Sequence, residues 1–341
     1  QIEAAHESHP QVRARASVDY NMSRRQLLTE PLAFRTLIRN ALQSDRFKGR
    51  KAVVAIPSGM FRTMSIHYQS LPGPEHEPAA IIKTMQQRLD GDLADYVLDY
   101  LPVKSRSSND ERLALVAVSE RQPIVDFLEI MRKAGLDVEA LEIGPLAISR
   151  LVGAMSLESG NSNVLVMNSG RRASYLTLIS GTDLLFDQEI SFGENGLIQQ
   201  AAETLDMEEN MARELIQRTG VAAGADGLSS AADDAGLVST VSEILKPQFL
   251  KLVEEIKRVC MYAAAETRGG SVSEIYLLGS IARWNGTAEL LSTMTGTRVS
   301  KIPDPLALFP ASSEGKGTLN RTAPEIAVAT GAALRGMQSH G

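Results

Sequence analysis

The stretch Ile275-Tyr-Leu-Leu-Gly-Ser-Ile-Ala-Arg-Trp-Asn-Gly286 sets the reading of the whole chain. An apolar strand run, Ile275–Leu278, stops at Gly279-Ser280, and a helix is expected to start at once. Strand, tight glycine turn and helix is how α/β proteins present backbone N–H groups to a nucleotide. The second turn position is Ser280, however, and a Cβ there resists positive φ and close approach. The stretch is therefore either a working nucleotide site or only the shell of one.

Outward from this turn the pattern alternates strands and helices. Upstream, Ile2–His6 and Val12–Tyr20 read as strands, the second alternating Val12, Ala14, Ala16 and Val18. Pro31–Ser44 reads as a helix that buries Leu32, Leu37, Ile38, Ala41 and Leu42. Ala52–Ile56 is a continuous apolar strand closed by Pro57, and Met60–Tyr68 is a half-buried strand. Pro78–Leu89 is an amphipathic helix, Tyr96–Lys104 and Leu113–Val118 are strands, and Gln122–Ala134 is a helix stopped by Gly135.

Val138–Ile143 and Pro145–Met155 add a strand and a helix. Val164–Asn168, Ala173–Ser180 and Leu184–Ile190 form a strand meander with turns at Ser169-Gly170 and Ser180–Asp183. Gly193–Leu205 and Glu208–Arg218 are helices, and the Ala-, Gly-, Ser- and Asp-rich stretch Gly220–Gly236 is expected to be a loop. Ile244–Glu266 is a long helix with Leu245, Phe249, Leu252, Val253, Ile256, Val259, Cys260 and Ala263 on one stripe. Thr287–Thr295, Arg298–Ile302 and Ala323–Gly336 follow as helix, strand and closing helix. Two strand-then-helix blocks, each with an inserted piece, imply a duplicated α/β core with a ligand cleft between the halves.

Bulk properties narrow the function. The 341 residues are 43% hydrophobic and 22% charged, with a net charge of -6, ordinary values for a soluble globular protein. The basic pairs Arg13-Ala-Arg15 and Arg24-Arg25 stand apart, and no Lys/Arg run is dense enough for a nucleic-acid patch. Cys260 is the single cysteine, so no internal disulfide forms; a reducing compartment and a core position are expected for it. No signal peptide is visible, and no apolar run nears the roughly 20 residues that span a bilayer.

At this point the residues reach a resemblance. Gly135–Arg150 resembles the connecting segment of actin-like proteins of the FtsA and PilM type, and Ile190–Ile198 resembles the turn after their second strand meander. Ile244–Tyr262, with Glu255-Ile-Lys-Arg258, resembles their long helix, and Ile275–Gly286 their adenosine turn. Thr322–Arg335 is similar to the closing helix of the PilM family of type IV pilus assembly. The resemblance implies a two-lobed actin-like fold, with a duplicated ribonuclease H-like core and an inserted subdomain. Residues 1–57 and 138–162 would form the first lobe core, without its first strand, and 58–137 the insert, packed beside Val53–Ile56. Residues 163–205 and 273–302 would form the second lobe core, 206–272 its cap, and 303–341 the return to the first lobe.

Against this pattern the nucleotide residues depart. The family's first phosphate loop, Asp-Ile-Gly, is not in the sequence; Gln1 is not an initiator, so an upstream segment is expected. Where the second loop begins with Asp, this chain has Asn168-Ser169-Gly170, and a neutral amide is a poor Mg²⁺ anchor. A double glycine becomes Gly193-Glu194, whose carboxylate would repel phosphate, and an Ala-Glu pair becomes Ala212-Arg213. Were a nucleotide site to survive, Gly279, Ser280 and Arg283 would complete it. No cofactor is assigned; ATP with Mg²⁺ is the one the resemblance keeps in view, and the shell reading is preferred.

The resemblance implies a cytoplasmic scaffold of a type IV pilus or related secretion platform, peripheral at the inner membrane. It would dock through the cytoplasmic tail of a PilN-like bitopic protein, with PilO and the assembly ATPases as indirect partners; a homo-oligomer stays open. In the family the tail lies between the first core subdomain and the insert, which maps to about Val53–Met64 and Ile81–Leu101, with Val53, Ile56, Phe61, Met64, Ile66, Ile81 and Met85 as the candidate groove residues. Ordinary subdomain core is the competing reading for these residues. Two other readings stay open: an ATP-binding, polymerising actin-like protein, and a small-molecule kinase on the same fold. No catalytic residue is assigned. His6 and His9 lack further metal ligands, adjacent Glu254 and Glu255 diverge on their helix, and no Walker A loop or Gly-x-Ser-x-Gly elbow occurs. Trp284 could stack on a base or anchor a core or an interface.

Overall fold

The computed structural model describes residues 1–5, 8–18, 22, 24–45, 47–71, 73–103, 112–155, 162–221, 232–267, 269–302, 304–309 and 326–338. The chain forms two units, Gln1–Glu158 with Asp304–Gly341, and Ser159–Pro303. His6 and most of the expected loop Gly220–Gly236 lie outside the described residues.

The first unit starts with an antiparallel pair, β1 (Ile2–Ala5) and β2 (Ser8–Val12). The strand expected over Val12–Tyr20 therefore ends where it was to begin. Main-chain bonds from Arg13 and Ala14 still reach Gln1, but the Arg15 N–H donates to Asp45 Oδ2 at 2.8 Å, which draws the chain out of the ladder. Helix α1 (Arg24–Thr29) leads into α2 (Pro31–Gln43), which opens on proline, a residue that needs no N–H partner there. Phe34 is its buried residue, and Leu37 and Ile38 pack around it against Leu27, Phe127 and Met131. Leu32 and Leu42, expected inside, are 79% and 36% exposed. At 100° per residue Leu32 falls on the side of the helix opposite Phe34.

Strand β3 (Lys51–Ile56) enters an excursion of β4 (Arg62–Tyr68), α3 (Glu77–Gln86), β5 (Tyr96–Val103), β6 (Arg112–Glu120) and α4 (Arg121–Lys133). The chain then returns as β7 (Asp137–Ile143), parallel to β3, and α5 (Gly144–Met155). The excursion builds an antiparallel sheet in the order β4-β6-β5. Its register gives each face one parity. Ile66, Tyr68, Val116 and Val118 face Ile81 and Met85 of α3, with Met64, Leu98 and Tyr100 at the margin. Thr63, Ser65, Val97, Asp99, Leu101, Leu115, Ala117 and Ser119 alternate with them and belong to the other face.

The second unit is a mixed sheet in the order β10-β9-β8-β11-β12. Strands β8 (Asn163–Ser169), β9 (Ser174–Ser180) and β10 (Asp183–Ile190) form the antiparallel meander. Helices α6 (Glu194–Leu205), α7 (Glu209–Thr219) and α8 (Ala232–Glu266) follow. Strand β11 (Val272–Gly279), helix α9 (Thr287–Thr295) and strand β12 (Arg298–Lys301) complete it, β11 running parallel to both β8 and β12. Helix α8 takes in Ala232–Gly236, part of the expected loop, and passes Pro247 without ending. The anticipated stripe from Leu245 to Ala263 is buried. Cys260 is half-buried on it, and burial pushes its thiol pKa up.

Helix α10 (Ala327–Gln338) carries the chain back to the first unit and packs on α5. The contact is backbone on backbone: a Cβ at Gly331 would lie 1.9 Å from the Ala147 carbonyl oxygen. We expect Gly331→Val to push α10 off α5 and cost about 2–3 kcal/mol by overpacking, read as a drop of roughly 5 °C or more in the melting midpoint. Gly196→Ala, at an exposed position of α6 with open space around it, should leave the midpoint level or raise it.

Candidate functional site

In the second unit, the turn after β11 depends on one glycine. Gly279 has φ of 86°, and a Cβ there would sit 1.9 Å from the Ser169 carbonyl oxygen. Ser280 has φ -65° and ψ -49°, ordinary right-handed backbone. The expectation that Ser280 is strained is thereby corrected: the positive φ belongs to the residue before it. No helix starts at the turn either. One 3-10 turn, Ile281–Arg283, intervenes before α9.

The end of β8 holds this turn. The Ser169 carbonyl accepts from Ser280 N at 2.9 Å, and its hydroxyl donates to Leu278 O at 3.0 Å and accepts from Ile281 N at 3.1 Å. Ser169 is itself buried. The N–H groups of Ser280 and Ile281 are thus spent inside the protein. Trp284 is buried and serves as core, and Arg283 is exposed.

The start of α6 is closed in the same way. The first N–H groups of a helix need outside partners, and here Glu194 N donates to Gly170 O at 3.0 Å and Asn195 N to Arg171 O at 2.8 Å. The Glu194 side chain is almost fully buried, with Arg213 Nη1 of α7 at 3.6 Å. Two departures read separately in the sequence, Glu194 and Arg213, are thus an ion pair. Asn168 lies near the end of β8, in register with Leu278. Among the described residues, no group of three or more His, Cys, Asp and Glu side chains could hold a metal ion.

The first unit has a cleft of about 650 Å³. One wall is the second face of the inserted sheet, with Val97, Asp99, Leu101, Leu115, Ala117 and Ser119. The other is formed by Ile56 of β3, Phe61 just before β4, Leu141–Ile143 of β7, Leu146 and Arg150 of α5, and Arg335 of α10. Of the residues the sequence pointed to, Ile56 and Phe61 line it. Val53 is directed at Gly336 of α10. Ile66, Ile81 and Met85 are fully buried with Met64 beside them, on the α3 side of the sheet. They hold the insert together and do not reach the cleft; a shift of one residue along a strand changes the face.

Sequence reasoning missed the polar part of the cleft. Glu142 has a fully buried side chain, with Oε2 2.9 Å from Arg150 Nη1 and Oε1 3.2 Å from Arg335 Nη1. Neither oxygen accepts an aligned hydrogen bond. The same two Nη1 groups donate to backbone, Arg150 to Gly331 O and Arg335 to Leu141 O, each at 3.0 Å. The contacts to Glu142 are therefore Coulombic, strengthened by burial. A carboxylate within the apolar run Leu141–Ile148 was the available signal.

Comparison with known proteins gives the fold and the family. No curated protein matches the chain. A solved structure of a PilM–PilN type IV pilus biogenesis complex matches with a TM-score of 0.76 at 21% identity, over 98% of this chain and 94% of that one. This likeness shows the fold, the actin-like α/β architecture. Weaker likenesses are to MreB5 of Spiroplasma citri bound to AMPPNP (TM-score 0.45, 12% identity, 64% of this chain and 66% of that one) and to ethanolamine utilization protein EutJ from Carboxydothermus hydrogenoformans (0.39, 16%, 55% and 59%). The sequence model described as type IV pilus assembly protein PilM matches residues 11–337. The chain belongs to the type IV pilus assembly protein PilM family.

Proposed function

We propose that this PilM-family chain is a scaffold of the inner-membrane assembly platform, and that its first-unit cleft takes the cytoplasmic tail of a PilN-like bitopic membrane protein as an extended segment. The observation that carries this reading is the cleft itself. Strand β5 is one edge of the inserted sheet, and its residues 97, 99 and 101 line the cleft. An edge strand beside apolar pockets gives an extended peptide main-chain partners and side-chain specificity together. The similar solved structure pairs a PilM with PilN, which supports this choice of occupant. PilO and the assembly ATPases would join through that partner. Among the described residues no helix is long and apolar enough to cross a membrane, and the tail would hold the chain at the inner membrane.

The second-unit turn would then be a shell without nucleotide function. What supports this is the internal use of the amides of Ser280, Ile281, Glu194 and Asn195, together with the Glu194–Arg213 pair.

The cleft is tested by isothermal titration with a synthetic peptide of the partner's cytoplasmic tail. Phe61→Asp and Leu101→Asp should each weaken binding at least 30-fold, about 2 kcal/mol at an apolar anchor. Ile66→Ala should instead lower the melting midpoint, at a cost of about 2–4 kcal/mol, with little change in affinity of the folded protein. Unchanged affinity in both aspartate variants would sink the reading.

The shell is tested by a thermal-shift titration. Mg-ATP should leave the midpoint unchanged, whereas a ligand at 100 times its Kd would stabilise by about 2.7 kcal/mol. Asn168→Asp with Glu194→Gly, given an upstream segment carrying the first phosphate loop, should begin to restore a response. Ser280→Gly should add nothing, because Ser280 already has negative φ. A micromolar Mg-ATP response from the unaltered chain would mean that the site works.

A further inference from the structure

The charge of the chain is unevenly placed. Between Arg24 and Lys51 the sequence has eight Lys and Arg residues against Glu30 and Asp45, an excess of +6 in a chain of net -6. No run within this stretch exceeds two adjacent cations, so spacing alone hides it. Folding gathers part of it on one surface. Helix α2 turns Phe34, Leu37 and Ile38 inward and exposes Leu32, Arg35 and Arg39, and it contains no acidic residue. Lys48 and Arg50, just past its end, are exposed as well.

The acids around this face are largely occupied. Asp45 accepts from Arg15 N at 2.8 Å, and Glu139 pairs with Lys51 at 2.6 Å. On α4, which packs beside α2, Asp126 accepts from Gln122 at 2.8 Å and Glu129 pairs with Lys133 at 3.1 Å. Glu30, ahead of the helix, and Asp137, in register with Lys51 on β7, remain as exposed acids nearby. Leu32, at 79%, is more exposed than any other large apolar side chain among the described residues.

We propose that this face of α2 is a membrane contact, with Arg35 and Arg39 on anionic phospholipid headgroups and Leu32 in the interfacial layer. Guanidinium groups match phosphate geometry, and a basic helix with apolar side chains among its cations lies on anionic bilayers. The face carries one strongly exposed leucine, without the clustered apolar anchors that a protein partner would need. A bilayer interface deforms around such a surface. If the tail reading holds, the partner keeps the chain beside the bilayer, so weak lipid affinity is enough; the contact itself does not rest on that reading.

The test is flotation of the full chain, without partner, with vesicles of phosphatidylcholine or of phosphatidylglycerol. Binding to phosphatidylglycerol only is expected, weakening as salt rises. Arg35→Glu with Arg39→Glu should cut partitioning at least about 10-fold, and Leu32→Ser several-fold, each with an unchanged circular dichroism spectrum. Phe61→Asp should float like the parent, so failure of the tail reading would not register here. Absent binding, equal binding to both lipids, or an undiminished double variant would overturn the proposal. So would equally strong binding of soluble polyglutamate or DNA with no effect of Leu32→Ser, which marks a general anion surface.

Discussion

A carboxylate with no exposure to water must be matched where it sits, because its lost hydration is worth several kcal/mol. Glu142 is such a group, and the first unit is arranged around its matching. It stands on β7, one of its guanidinium partners on α5 and the other on α10. Arg150 also donates to a backbone carbonyl of α10 and Arg335 to one of β7, so the three elements are laced together. The bare contact of Gly331 with Ala147 lets α10 come close enough for this lacing. The same cluster faces the cleft. The cleft is thus lined by the interactions that hold the unit together.

The second unit solves a different problem by similar means. A glycine turn and a helix N-terminus both leave backbone donors without partners, and at helix N-termini generally a phosphate can take that place. Here neighbouring carbonyls and the Ser169 hydroxyl do so. Glu194 and Arg213 add an ion pair of side chains. The turn and the helix start are both satisfied from within.

Much of this was legible in the sequence. Element order follows from apolar periodicity, and the long stripe of α8 was readable from Leu245 to Ala263 because a helix packed on a sheet repeats its contacts every turn. What failed depends on contacts between distant residues. Met64 and Ile66 have the composition of pocket residues, but only pairing with β6 decides which face they take. Ser280 looked strained because positive φ was assigned one residue too late. Glu194 and Arg213 were read as two separate losses, since nothing local joins residues on successive helices. Glu142, Arg150 and Arg335 stayed invisible as a group because 193 positions separate the first from the last.

That separation also orders events during synthesis. The second unit is one continuous segment, whereas the first is closed by a helix that follows the second in the chain. As the chain leaves the ribosome, domains form from the N-terminal side, so the second unit can complete itself while the first still lacks α10. During that interval Glu142 has only Arg150, and one wall of the cleft lacks Arg335. A nascent or prematurely terminated chain therefore cannot present a finished cleft.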